Sequence, residues 1–170
     1  MNIEVLEEFK NQIIYRLDES TRMNTKSLSL ISEDDVWKRI NNSSNSIGNF
    51  ILHLCGNITQ YAISSLGNTD DLRNRDLEFS IDKGYSKSEL LEKLNTTLEE
   101  AKAIINKTTL EEYLRKREVQ GFTFSGVGIV IHVTEHYSYH TGQIAFWVKQ
   151  LKNKDLGFYD GVDLTIKNKD

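Results

Sequence analysis

The sequence contains no proline, one cysteine, two tryptophans and two methionines. Each scarcity excludes something. Without proline there is no obligate helix breaker, so long helices can run uninterrupted. A lone cysteine, Cys55, cannot form an internal disulfide and agrees with a reducing compartment. Set between Leu54 and Gly56 in an apolar stretch, it reads as a small buried thiol and not as a nucleophile. No uncharged apolar run approaches the roughly 20 residues that a membrane-spanning helix requires. The first residues, MNIEVLEEFKNQ, carry acids where a signal peptide would carry bases. A concentrated basic patch is also missing: 21 Lys and Arg are interleaved with 25 Asp and Glu, for a formal net charge of −4. Nucleic acid is therefore a poor partner. The expectation is a cytoplasmic protein without nucleic-acid or membrane partners, and 170 residues suffice for one domain with a sizeable core.

Apolar residues recur at intervals of three and four between clusters of turn residues, which is the helical period. The first segment, about residues 2 to 29, places Val5, Phe9, Ile13 (or Gln12), Leu17 and Met23 on one side. Ser32 caps a short connecting helix in SEDDVWKRI, with Asp34 and Asp35 at the positive end of its dipole and Trp37 as an anchor in the core. The turn cluster NNSSNS precedes a second long helix, about 46 to 66. From Ile40 to Thr69 the chain has no Asp, Glu, Lys or Arg, as expected of a helix enclosed by its neighbours. The loop from Gly67 to Tyr85 is long for a compact domain, and it either carries a short helical turn or covers a site. SKSE, residues 86 to 89, is a capping box opening a third helix to about 106, with Leu90, Leu91, Leu94, Leu98, Ala101 and Ile105 as its stripe. TLEE, residues 109 to 112, opens a short helix toward KREVQG, with a strand at VQGFTF as a weaker alternative. Ser125 caps a fourth long helix to about 151. The fold class predicted is all-α: a four-helix bundle with short connecting helices over residues 1–152, then an irregular tail over 153–170 with Phe158 and Tyr159 packed back on it.

Three of the four histidines lie in HVTEHYSYHTGQI, residues 132 to 144, spaced by four. On a helical wheel with Ile129 at zero, His140 falls inside the core face at about 20°, His136 at its edge near 340° and His132 outside it near 300°. Tyr137 falls on the core face. Two histidines at i and i+4 can share one metal ion, whereas i and i+8 stand about 12 Å apart along the axis and cannot. The inward pair is His136 and His140. On the second helix, Asn49, His53, Asn57, Gln60 and Ser64 form an uncharged polar stripe that must be satisfied somewhere. If the second and fourth helices pack side by side, His53 can supply a third nitrogen. The alternative is a set of ordinary helix histidines bonded to Glu135, Gln143 or backbone carbonyls.

HYSYHTGQI resembles the last-helix motif of the DinB/YfiT-like superfamily of bacterial four-helix bundles, H-x-x-x-H-R-G-Q-I. The lone histidine of FILHLCGN, the order of elements and a loop containing RNRDLEF also sit where members have them, so the resemblance spans about residues 1 to 152. It implies a divalent metal on His53, His136 and His140 and no ligand role for His132; three imidazoles suit zinc or nickel, with iron as a further candidate. The motif's frequent arginine is Thr141 here, so any role of that arginine is absent or moved, while Gly142 and Gln143 are kept. A helical glycine costs up to about 1 kcal/mol relative to Ala, and close approach of a neighbouring helix is the simplest reason for Gly142. Some superfamily members are metal-dependent transferases or isomerases that use low-molecular-weight thiols such as bacillithiol or mycothiol. The expected function is a metal-dependent enzyme of thiol S-transferase type acting on a small molecule. Its reactive species would be a metal-activated thiol or water, and no side chain is assigned as nucleophile. Asn57, Gln60 and Gln143 are candidates for orienting ligands or substrate. The rival is a non-catalytic interaction module with a structural or vestigial metal. Ile131, Tyr139 and Phe146 point away from the core face, which suggests a homodimer.

Overall fold

In the computed structural model, which describes residues 3–169, four long helices form a bundle. They are α1 (Ile3–Ser29), α3 (Ile47–Ile58) extended by a π-helical segment (Thr59–Leu66), α5 (Lys87–Lys107) and α7 (Gly126–Lys152). Short helices α2 (Glu33–Val36), α4 (Arg75–Ser80) and α6 (Leu110–Leu114) fill the connections. Going round the bundle, α1 lies between α5 and α7, and α3 lies opposite it between the same two helices. The second and fourth long helices are therefore neighbours, which was the condition for three histidines to meet.

The caps sit where the sequence places them. Hydroxyls of Ser32, Ser86, Thr109 and Ser125 each accept a backbone N–H three residues on, each worth about 1 kcal/mol. Two of the long helices depart from expectation. On α1 the core stripe runs through Leu6, Lys10, Ile13, Leu17, Ser20 and Asn24, leaving Val5 55% exposed. Beyond Leu17 the stripe is polar because it faces polar groups of α7: Asn24 donates to Thr141 Oγ1 at 3.0 Å, and Thr21 Oγ1 lies 3.1 Å from the Tyr137 hydroxyl. The second helix spans the expected length, but from Thr59 on it is wound with i to i+5 hydrogen bonds, among them Gly67 N to Ala62 O and Thr69 N to Ser64 O.

The short helix opened by Thr109 is α6, and the segment after it is a hairpin that takes in the strand read at VQGFTF. Strands β1 (Lys116–Val119) and β2 (Phe122–Ser125) pair antiparallel, with Val119 opposite Phe122. Gln120 and Gly121 both have positive φ, 52° and 80°, the backbone that a two-residue hairpin turn demands. The Tyr61 hydroxyl holds the turn by donating to Gln120 Oε1 at 3.0 Å. Past α7, Leu156 is buried and Phe158 packs on the core, whereas Tyr159 is 49% exposed. Of the two aromatics expected to pack back, only Phe158 does.

Asp35 ties α2 to the end of α7. Its buried carboxylate accepts from Lys152 and Lys38 and closes the capping box on the Ser32 amide. The Lys152 bond first, then Lys38 and the Ser32 backbone, hold its pKa well below the usual carboxylate range. A depressed folded pKa means that the contribution is present above the unfolded value, about 4, and is lost as pH falls toward the folded one. Urea unfolding should thus show wild type losing more stability than Asp35→Asn between pH 5 and pH 3, with Asp35→Asn already destabilised at pH 7 by about 1 kcal/mol or more. Equal slopes for the two proteins would contradict this.

Candidate metal centre

α3 and α7 bring three imidazole nitrogens together. His53 Nε2 lies 3.1 Å from His136 Nε2, and His140 Nε2 lies 3.2 Å from the same atom. Among the described residues, these three form the only group of His, Cys, Asp or Glu side chains whose ligand atoms gather within 4.8 Å. The i, i+4 spacing on α7 puts His136 and His140 on one side of the helix, and His53 reaches them from α3.

Hydrogen-bond partners decide which ring nitrogens carry protons. His53 Nδ1 is 2.8 Å from Glu78 Oε2, nearer than the 3.2 Å to a terminal nitrogen of Arg73, and a carboxylate can only accept, so Nδ1 holds a hydrogen and in the neutral ring Nε2 is bare. His140 Nδ1 is 2.6 Å from Gln143 Oε1, with the same consequence. Two bare lone pairs therefore aim at His136 Nε2, which has at most one hydrogen to offer. One contact would be lone pair against lone pair, and a cation is the group that satisfies all three. Two nitrogens on a tetrahedral ion at 2.0–2.1 Å stand about 3.4 Å apart, close to the separations here. The donor set and its geometry fit a divalent transition metal. Burial lowers the pKa of His136 to about 3, with further lowering from His140 and His53, and lowers that of His140 to about 4, so both rings are neutral ligands at pH 7. His136 Nδ1 is buried without a partner, so this ring, unlike the other two, has nothing orienting it from behind.

Glu78 and Arg73 back the histidine cluster, and the sequence alone did not single them out. Both lie in the long loop, Glu78 on α4, in the RNRDLEF segment. Arg73 Nε donates to Glu78 Oε1 at 2.7 Å and an Arg73 terminal nitrogen donates to Oε2 at 2.8 Å, so the buried carboxylate is clamped while it grips His53. Burial works to raise the Glu78 pKa, but the hydrogen bonds from Arg73 and His53 outweigh it and hold the group ionised. The polar stripe of α3 is what seats this loop. Asn49 donates to the Glu78 and Ile81 carbonyls, Gln60 accepts from Arg73 and donates to Asp71, and Ser64 donates to the Asp70 carbonyl. The stripe that the sequence required to be satisfied meets a loop that covers the site.

Gly56 makes the approach possible. A Cβ at this position would collide with Glu78 Oε1 and come within 2.7 Å of its carboxyl carbon and 3.0 Å of Arg73 Nε. The tight approach expected at Gly142 is found here instead. Gly142 is exposed, with nothing within 4 Å of where a Cβ would be, because it lies on the outer side of α7. Thr141 is buried against Asn24 of α1 and faces away from the histidines.

Of the remaining candidates, Gln143 touches a metal-facing histidine directly, Gln60 acts through Arg73, and Asn57 lies 3.3 Å from Nε2 of His132. His132 stands outside the group, stacked on Tyr61 with ring centroids 4.1 Å apart. Tyr137 is a core residue with no exposure. Cys55 is buried, which pushes its thiol pKa up to about 11 and leaves it unreactive. A surface cavity of about 480 Å³ is lined by His132, His136 and Tyr139, so it reaches one of the three metal-facing histidines. No helix among the described residues is long and apolar enough to cross a membrane.

A sequence model of the family described as "Protein of unknown function (DUF1572)" matches residues 4–160. No curated protein matches the chain. Among solved structures, the chain is similar to a DinB-like protein of Bacillus cereus, with a TM-score of 0.68 at 13% identity over 85% of this chain and 91% of that one. It is also similar to the DinB-like protein YjoA of Bacillus subtilis, with a TM-score of 0.63 at 18% identity over 82% of this chain and 91% of that one.

Proposed function

Because the chain belongs to the DUF1572 family and shares its fold with DinB-like proteins, we propose that it is a metal-dependent enzyme of thiol S-transferase type, with a divalent transition metal on His53, His136 and His140. The observation that carries this reading is the convergence of three Nε2 atoms, two of them freed for coordination by Glu78 and Gln143 behind the rings. A divalent ion on three neutral imidazoles keeps its full charge and supplies Lewis acidity to a bound thiol or water. The protein's own residues do the rest. Glu78 and Gln143 fix two ring orientations, and Arg73 keeps Glu78 charged. Among the described residues no fourth His, Cys, Asp or Glu joins the group, which favours an open, reactive centre over a closed structural one. Zinc or nickel is the ion of choice, with iron third. A homodimer is part of the proposal, through Ile131, which is 49% exposed on α7.

The test is turnover. Zinc- or nickel-loaded protein is incubated with a low-molecular-weight thiol, such as bacillithiol, and an aromatic electrophile such as monobromobimane, and loss of thiol is followed. The expected result is acceleration that disappears with chelator and in His136→Ala. No acceleration beyond that given by the free ion, across several thiols and electrophiles, overturns the transferase reading.

A further inference from the structure

A second cavity opens on the other side of Tyr139, between the 40–45 loop and the outer side of α7, with a volume of about 590 Å³. Its walls include Ile40, Phe50, Tyr139, Phe146 and Trp147, and His140 lines it as well. Phe50 and Tyr139 flank that histidine, with ring centroids 5.3 and 5.0 Å from it. No Asp, Glu, Lys or Arg lines the cavity; the polar lining is Ser43, Ser44, Asn45 and Gln143, all uncharged. Gln143 Oε1 is already engaged with His140, so what this side chain has left to offer is its amide N–H. Ile40 and Phe146 are 53% and 60% exposed, a cost in apolar surface left in water that a bound apolar molecule would relieve. The volume lies within the usual range for small-molecule sites, and the pattern of apolar walls with a few neutral polar groups matches one.

We propose that this cavity binds the second substrate of the centre, a neutral molecule with a flat aromatic body and a hydrogen-bond acceptor, held between Ile40, Phe146 and Trp147 with its reacting end toward His140. The assignment as substrate rests on the metal-centre reading, but the binding site itself does not. Absence of charge on every wall excludes a carboxylate or ammonium as the preferred ligand, because neither would find a partner to offset its desolvation. Gly142 supplies the specific test. It lines the cavity, is exposed on its helix, and has no atom within 4 Å of the place a Cβ would occupy, so a larger side chain can be started there and adds bulk at the cavity wall.

The probe is N-phenyl-1-naphthylamine, neutral and aromatic, followed by its own fluorescence and by quenching of Trp147 in a Trp37→Phe background. The expected result is saturable binding near one per chain. Gly142→Leu and Ile40→Asp should each weaken it at least tenfold, with metal content and melting temperature retained. An anionic analogue, 8-anilinonaphthalene-1-sulfonate, should bind more weakly than the neutral probe. His53→Ala should bind the probe as wild type does, so that loss of metal and loss of this site are read separately. Binding that is absent, or equal in Gly142→Leu, overturns the proposal. So does a wild-type dimer by sedimentation that Ile40→Asp dissociates while the probe never binds, which would assign the cavity to a second copy of the chain.

Discussion

Protein purified without a histidine tag and incubated with zinc or nickel is expected to hold about one ion per chain, and His53→Ala, His136→Ala and His140→Ala are each expected to abolish this while His132→Ala keeps it. The contrast within one helix is the informative part. His132, His136 and His140 share α7 and are spaced alike, yet His132 Nε2 meets the Asn57 amide while the other two converge on His53. Losing a partner behind a ligand costs 10–100-fold in affinity, so losing the ligand itself must cost more, and elemental analysis after gel filtration will read it as empty protein. A chelator competition adds a graded measure, in which Gln143→Ala falls between wild type and the histidine variants. Wild type that stays empty, or His132→Ala that empties as readily as its neighbours, would return the motif to an ordinary polar seam.

Helix positions were legible because capping and periodicity are local. Ser32, Ser86, Thr109 and Ser125 announce their helices within four residues, and the wheel of α7 places His140 and His136 inward without any knowledge of the partner helix. What escaped depends on contacts distant in sequence or on backbone windings without a residue signature. Nothing in TQYAISSL marks a π-helical segment. The hairpin has short strands, one of them the charged KREV, and its register is set by Gln120 and Gly121 and by a tyrosine about sixty residues upstream. Assigning a close approach to Gly142 failed for a related reason: a glycine in a helix reports that something was avoided or admitted, and only the packing tells which. At the metal centre the glycine that admits a neighbour is Gly56, and the neighbour comes from a loop that periodicity could not place.

Gly56 therefore makes a second strong prediction, one that separates affinity from fold. Alanine is the better helix former by up to about 1 kcal/mol, so on propensity alone Gly56→Ala should stabilise α3. The added methyl, however, collides with Glu78 Oε1 and falls 2.7 Å from its carboxyl carbon. Glu78 is the end of a flexible side chain and can swing away, but only by leaving both His53 and the two-pronged hold of Arg73. His53 then loses the group that keeps its proton on Nδ1, and the ring is free to present the wrong nitrogen. The expected outcome is a protein that still folds and binds metal 10–100-fold more weakly. Glu78→Gln should lose a comparable amount, since an amide can turn its NH2 toward the ring and cannot carry the charge that Arg73 balances. Because both changes break the same contact, the double variant should be scarcely weaker than either single one, a large non-additivity in a cycle of four affinities. Additive losses would mean that Gly56 acts through something other than Glu78. An unchanged affinity in Gly56→Ala would mean that the carboxylate has another route to His53, and the orienting role assigned to it would have to be withdrawn.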